Sequence, residues 1–121
     1  MGLRHQRAAS GAAASGADHD VLRRAGDASV LVLTSLAESP KHGYALIQDV
    51  RRFSGVQLGP GTLYGALDRL EALGLIEALP ADARRQPYRI TPAGAAALSE
   101  HLDALERIST VGRLRLGFLG A

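Results

Sequence analysis

The sequence contains no cysteine among its 121 residues. Disulfide bonds, thiolate nucleophiles, cysteine-ligated zinc and iron–sulfur clusters are therefore excluded. Long apolar runs are also lacking, since the longest, Val30–Leu33, is far below the ~18 residues of a membrane-spanning helix. The first residues likewise lack the ~7 to 15 strongly apolar positions of a secretory signal. We therefore expect a cytoplasmic protein without membrane contact.

The chain also lacks a large excess of either basic or acidic residues. The 14 basic and 12 acidic residues leave a formal net charge of +2, which permits an anionic partner without requiring one. Hydrophobic residues make up 46% of the chain, so a folded core is expected, and this length suits one core rather than two. Residues 1–17 are mostly Ala, Gly and Ser, and they are predicted to be a flexible tail.

Three short helices are predicted from apolar spacing and from end signals. Asp27 is the expected N-cap of the first helix. The second covers residues 42–52 and places Tyr44 on its apolar face. The third begins at the Gly59–Thr62 turn and ends at Gly74, with leucines at helical spacing between them.

A β-hairpin and a last helix follow. Residues 75–79 and 88–91 have strand character and are separated by a polar, proline-flanked loop. The Thr91-Pro92 pair then forms a favourable helix start, as N-cap and first-turn residue. Gly112 and Gly117 are expected to loosen the end of this helix.

This order of elements predicts a mainly α fold with a small β-hairpin, which is the winged helix-turn-helix arrangement. We assign a winged helix-turn-helix DNA-binding domain to residues 18–91. Residues 92–121 are assigned to a C-terminal dimerisation helix and tail. In this arrangement the third helix is the one that enters a DNA major groove.

The outward face of the third helix is the first candidate DNA-binding surface. With its leucines turned inward, Thr62 and Tyr64 present hydroxyl groups, and Gly65 lets the backbone approach DNA closely. Arg69 lies on the flank of this face. Asp68 on the same face repels phosphate, so an ordinary amphipathic surface helix stays open as the alternative.

Two basic groups flank that helix in the predicted fold. Arg84 and Arg85 lie in the hairpin loop and Arg89 on its second strand, where guanidinium groups suit the minor groove or the sugar-phosphate edge. Lys41 and His42 stand at the start of the second helix, whose free backbone amides suit a phosphate. Solvated surface charges are the alternative for both groups.

The last helix carries more apolar side chains than a small core needs. Leu98, Leu102, Leu105 and Ile108 form a stripe that is predicted to bury against a second copy in a two-fold dimer. Packing on its own domain is the alternative.

No catalytic, metal or cofactor site is predicted. The Gly59–Gly61 turn lacks the lysine and hydroxyl residue that follow in a phosphate-binding P-loop. The 4 histidines are scattered without metal-ligand spacing. Acidic residues of the last helix form a solvated face rather than a catalytic pair. Two function classes therefore stay open, a DNA-binding regulator and a winged-helix module that binds protein.

Four motifs, in order and in spacing, resemble the PadR-like transcriptional regulators across residues 30–108. These motifs are His42–Leu46, Gly61–Leu70, Gly74–Ile76 and Tyr88–Gly94. The resemblance implies a winged-helix homodimer that binds a promoter palindrome in double-stranded DNA, usually as a repressor and often released by a small molecule. A single, short C-terminal helix is similar to the smaller subgroup of the family.

The resemblance also implies roles for individual residues. The recognition helix corresponds to Thr62, Tyr64, Gly65 and Arg69, the start of the second helix to Lys41 and His42, the wing to Arg84, Arg85 and Arg89, and the dimerising helix to the stripe from Leu98 to Ile108. The wing lacks the glycine pair that usually precedes the family's arginine, so the arginine that reaches DNA is left open. No aromatic residue occurs from Ala93 to Val111, which argues against stacking of a flat aromatic ligand there.

Overall fold

The computed structural model describes residues 27–120, with side chains described as far as Phe118. The predicted tail over 1–17 lies outside the described residues. The elements are α1 (Asp27–Glu38), α2 (Gly43–Ser54), α3 (Pro60–Ala72), β1 (Ile76–Ala78), β2 (Tyr88–Ile90) and α4 (Pro92–Gly120). The order predicted from the sequence, three helices, a hairpin and a last helix, is confirmed.

Local sequence accounts for both ends of α3. Gly59 is extended and Pro60 occupies the first turn, where its missing N–H costs nothing. At the other end Gly74 has a φ of +76°, which disfavours any residue with a Cβ. The next amide, that of Leu75, donates to the Leu70 carbonyl at 2.9 Å and closes the helix.

The first three helices pack around one apolar core. Its buried side chains from these helices include Val32, Leu36, Leu46, Val50, Leu63, Leu67 and Leu70. Ile76 from β1 joins this core, and so does Leu98 from α4, whose residue is only 6% exposed. The first turns of α4 lie across α1 and β2, so Leu98 is covered within its own chain. Leu98, which the sequence predicts to face a second copy, therefore packs mainly within its own chain.

The hairpin is fixed to the helical core at its base. β1 and β2 form an antiparallel pair. At the tip, Asp82 and Arg85 exchange two backbone hydrogen bonds across a tight turn. Where the loop returns to β2, the backbone of Lys41 pairs with that of Tyr88, which adds a one-residue third strand; we call this point the base of the wing. The hairpin is therefore attached to the start of α2.

The last helix, α4, is longer than the sequence pattern predicts. It continues through Gly112 and Gly117 to Gly120, 29 residues in all. An exposed glycine costs a helix only about 1 kcal/mol, and the leucines and arginines around these two favour helix. The expectation of a short helix with a loosened end is therefore wrong.

Candidate nucleic-acid interface

A groove of about 370 Å³ lies between the start of α2, the outer side of α3 and the hairpin, which we call the wing groove. It is lined by His42, Gly43, Tyr44, Tyr64, Arg84, Arg85 and Gln86. Four residues predicted from the sequence as DNA contacts therefore meet in one place. They are His42, Tyr64, Arg84 and Arg85.

Close packing of α3 on α2 forms the floor of the wing groove. The Tyr64 hydroxyl lies 2.6 Å from the position that a Cβ on Gly43 would occupy. Gly43 is therefore the residue that lets Tyr64 lie against the first turn of α2. The tyrosine itself stays 52% exposed, so part of its side chain is open to the groove.

The two arginines of the wing tip differ in their surroundings. Arg84 occupies the tip turn between the paired residues Asp82 and Arg85 and is exposed. Arg85 turns towards α2, where its Nη1 lies 3.5 Å from Nε2 of His42. Arg84 is therefore exposed in the tip turn, while Arg85 lies against the start of α2.

The exposed face of α3 changes character along its length. Its first turns present the small or uncharged residues Gly61, Thr62 and Gly65. Its later turns present Asp68 and Glu71 near the hairpin. The pKa of Tyr88 is raised mainly by burial and further by these two carboxylates and by Tyr64. The carboxylates of α3 therefore lie in its C-terminal half, and its exposed N-terminal half carries none.

Arg69 lies on the opposite flank of α3 from the wing groove. Its Nη2 donates to the Ser29 hydroxyl at 3.3 Å, across the contact between α3 and α1. The Arg69 guanidinium also interacts electrostatically with Asp27 at the start of α1. Burial raises the pKa of Asp27, while His101 and Arg69 act in the opposite direction. The structure thus places Arg69 at a junction of α1, α3 and α4 rather than with the other predicted residues.

Lys41 lies beneath the surface, with only 10% of its side chain exposed. Its ammonium donates to the Ser35 carbonyl at 2.6 Å and pairs with Glu38 Oε1 at 2.9 Å. Asp49 Oδ2 lies 3.8 Å away on α2. The structure therefore holds this ammonium inside the molecule and not at the wing groove.

Arg89 projects from the outer face of the hairpin. Its Nε donates to the carboxylate of Glu77, the residue opposite it on β1. Tyr88 and Ile90, its neighbours on β2, are partly buried against the core. Because side chains alternate along a strand, Arg89 points away from the core-facing side of the hairpin.

Three residues that line the wing groove were not among the contacts predicted from the sequence, namely Gly43, Tyr44 and Gln86. Tyr44 was placed on the apolar face of the second helix, yet it is exposed and accepts a hydrogen bond from Gln48 at 3.2 Å. Its position in the first turn of α2, two residues after His42, was the available signal. Gln86 fixes the wing through its amide, which donates to the Leu79 carbonyl at 2.6 Å.

Across the described part of the chain, no group of three or more His, Asp or Glu side chains is placed to hold a metal ion. Over residues 27–120, no helix combines the length and apolarity needed to cross a bilayer.

Comparison with known proteins gives consistent matches. The profile described as "Transcriptional regulator PadR-like family" matches residues 32–100 of the 121-residue chain. Transcriptional regulator Rv3488 of Mycobacterium tuberculosis is 46% identical over 81 residues, which cover 64% of this chain and 75% of that protein. A 37.1 kDa protein of transposon TN4556 from Streptomyces fradiae is 45% identical over 86 residues, 71% of this chain. The match spans only 25% of the length of that transposon protein.

Solved structures agree with the sequence matches. A PadR family transcriptional regulator from Eggerthella lenta is similar with a TM-score of 0.69 and 32% identity, over 83% of this chain and 88% of that one. The family consists of transcription regulators and not of enzymes. With more than half of its residues matched by the family profile, the chain belongs to the PadR-like family of transcriptional regulators.

Proposed function

We propose that this regulator is a sequence-specific DNA-binding repressor that acts as a homodimer on a promoter palindrome. The observation that carries this proposal is the wing groove. There the two arginines of the wing tip and the start of α2 lie beside the uncharged N-terminal half of α3. Cationic, amide and hydroxyl donors thus lie along one exposed side of the fold.

Each part of this surface suits a different part of DNA. Gly61 and Gly65 add no bulk, so α3 can lie deep in a major groove, where Thr62 and Tyr64 reach base edges. The free backbone amides at the start of α2 suit a phosphate. Arg84, at the wing tip, suits the minor groove or the flanking backbone.

The carboxylates on α3 constrain how it lies on DNA. Asp68 and Glu71 would meet phosphates if the whole length of α3 followed the groove. Entry by the N-terminal half keeps both carboxylates further from the DNA backbone. This matches the general way in which recognition helices present their first residues to base edges.

The exposed part of α4 supports self-association. Its apolar side chains beyond Leu98 are open to solvent: Leu102, Leu105, Ile108, Val111, Leu114, Leu116 and Phe118. Its charges are segregated as well. The acids are Glu100, Asp103 and Glu106, and the bases that follow are Arg107, Arg113 and Arg115. In an antiparallel pair of α4 helices the acidic half of each copy faces the basic half of the other, which favours that orientation.

A small-molecule effector fits the same region. An apolar groove of about 320 Å³ lies between α1, β2 and α4, with Ala37, Ile90 and Leu102 among its lining residues. A ligand there would change how α4 leaves the domain and therefore how far apart the two α3 helices lie. Coupling of ~1 to 3 kcal/mol would change DNA affinity ~5 to 150-fold.

Fluorescence anisotropy tests the proposed DNA binding. The purified protein is titrated with DNA from upstream of its own gene and with scrambled DNA, each at two salt concentrations. We expect a preference of ~10³ or more for one upstream site, weakening as salt rises. A promoter fusion carrying that site should lose expression when the regulator is supplied; a gain would overturn repression.

The opposite result favours the second function. If a folded, dimeric protein shows neither sequence preference nor salt-dependent binding, the surface does not serve DNA. The winged-helix fold would then be a module that binds another protein through α3 or α4.

A further inference from the structure

Lys41 links three elements at once. Its side chain contacts the last turn of α1 through the Ser35 carbonyl and Glu38, and α2 through Asp49. Its backbone contacts β2, because its amide donates to the Tyr88 carbonyl at 3.1 Å and its carbonyl accepts from the Tyr88 amide at 3.0 Å. One residue therefore connects the helical core to the base of the wing.

Asp49, which pairs with the Lys41 ammonium, is itself held by other side chains. Asp49 has a side chain that is 14% exposed and accepts from the Ser35 hydroxyl at 2.6 Å. Its other oxygen accepts from Arg52 at 3.1 Å. Within the described residues, no buried side-chain nitrogen or oxygen lacks a hydrogen-bond partner. The polar network around Lys41 is therefore complete without any ligand.

We infer that Lys41 is a positioning residue, which sets the distance of the wing arginines from the recognition helix and does not itself bind phosphate. This inference rests on the proposed function, since it concerns the same DNA-binding surface. An ammonium has three donors. Here it lies within hydrogen-bond distance of the Ser35 carbonyl, of Glu38 Oε1 and of the Ser39 carbonyl at 3.4 Å, while Asp49 adds an ion pair at 3.8 Å. Reaching a phosphate would require it to leave these acceptors and an almost buried site.

The path from Lys41 to the wing arginines is short. Tyr88 follows Arg85 by three residues, and the intervening Gln86 is held by its own bond to the Leu79 carbonyl. His42, next to Lys41, lies against Arg85. Loss of the Lys41 side chain is therefore expected to loosen the wing base and the position of both arginines together.

A double-mutant cycle separates positioning from direct contact. Lys41→Met keeps the length of the side chain but removes its charge and donors, and we expect roughly tenfold weaker binding to the specific site. If Lys41 acts through the wing, adding Lys41→Met to the pair Arg84→Ala and Arg85→Ala weakens binding no further. If Lys41 binds phosphate, the two losses multiply and the salt slope falls by about one more. That second result would overturn the inference.

Two further variants make the test independent of Lys41 itself. Asp49→Asn removes the charge on the far side of the network, and we expect it to weaken binding as Lys41→Met does. A phosphate-binding Lys41 would instead be freed by this change, so unchanged or tighter binding would contradict positioning. Arg52→Met is the matched control, because Arg52 also pairs with Asp49 but is 71% exposed and lies away from the wing. It should bind DNA as the original protein does.

Hydrogen exchange supplies a readout that needs no DNA. The amides of Tyr88 and Arg85 report the wing base and tip. In the folded Lys41→Met and Asp49→Asn proteins we expect both amides to exchange faster, with the α3 amides unchanged. Unchanged wing exchange in both variants would overturn the inference. If the original protein binds no specific DNA, the proposed function fails, while this exchange result still decides the role of Lys41.

Discussion

At the scale of single residues, burial and partners within the chain determine which of the predicted basic residues remain available to contact DNA. Lys41, Arg69 and Arg89 each have a partner within the chain: a buried network, the Ser29 hydroxyl and the Glu77 carboxylate. Arg84 has a different setting, an exposed turn at the tip of the hairpin. Among these basic residues, we therefore expect Arg84 to be the one whose substitution by Ala weakens the protein's affinity for DNA the most.

Asp49 gives the fold a specific response to acid. The Ser35 hydroxyl, followed by Lys41 and Arg52, favours its charged form, so the pKa of Asp49 lies below its ordinary value. A carboxyl with a lowered folded pKa contributes stability above the pKa of the unfolded chain, near 4, and loses it as pH falls through the folded pKa.

We therefore expect Asp49→Asn to destabilise the protein most near neutral pH. The difference in unfolding free energy from the original protein should shrink below about pH 4, where Asp49 becomes protonated. Urea unfolding at several pH values measures it. Asp27, whose pKa is raised by burial, is present in both proteins and cancels in the comparison. A difference that does not change with pH would show that Asp49 acts through shape rather than charge.

At the scale of the elements, the two ends of α4 tolerate change very differently. A Cβ on Gly94 would overlap the Leu75 carbonyl oxygen, which is backbone and has no rotamer to change. A Cβ on Gly112 would meet nothing. Both residues lie inside the same helix, where alanine is normally favoured over glycine.

We predict opposite effects for the same substitution at these two sites. Gly94→Ala should lower the free energy of unfolding by about 1 to 3 kcal/mol, because the strain outweighs the gain in helix propensity. Gly112→Ala should raise it by up to about 1 kcal/mol. Chemical denaturation measures both. A neutral Gly94→Ala would mean that α4 shifts easily away from the Leu75 backbone, against the close packing seen there.

The sequence predicted those elements whose causes are local. Pro60 and Gly74 bound α3 through their own backbone preferences, and the period-two segments around a polar loop predicted the hairpin. It did not predict which side Lys41 or Leu98 faces. That depends on where α2 and α4 pack, which is a contact between distant segments. Burial of a long basic side chain requires a specific set of acceptors, and no pattern of neighbours indicates them.

At the scale of the whole molecule, the single chain exposes more of α4 than it covers. Leu98 is in the core, whereas Ile108 is 67% exposed. These two residues of one stripe therefore belong to different contacts, the first within the chain and the second, in our proposal, between two copies. Leu102 and Leu105 are also open to solvent and therefore belong with Ile108 in the proposed contact between two copies.

Substitutions at Leu98 and at Ile108 should separate effects on folding from effects on dimer formation. Leu98→Ala should lower the free energy of unfolding by about 2 to 5 kcal/mol, because it leaves a cavity in the core. Ile108→Asp should leave the helical content intact but give a monomer in analytical ultracentrifugation. Its affinity for a palindrome should fall while binding to one half-site stays the same. A dimer that survives this change would place the contact elsewhere.

The length of α4 has a consequence for the DNA itself. At ~1.5 Å per residue its 29 residues span about 43 Å, longer than the ~34 to 36 Å between successive half-sites of a palindrome. In the proposed pair, sliding one helix by a single turn moves the two domains by about 5.4 Å, more than a base-pair step of ~3.4 Å. In that proposed pair, the register in which the two α4 helices pack would set the distance between the half-sites that the dimer can bind. A shift of one turn would select sites whose half-sites are about one to two base pairs closer or further apart.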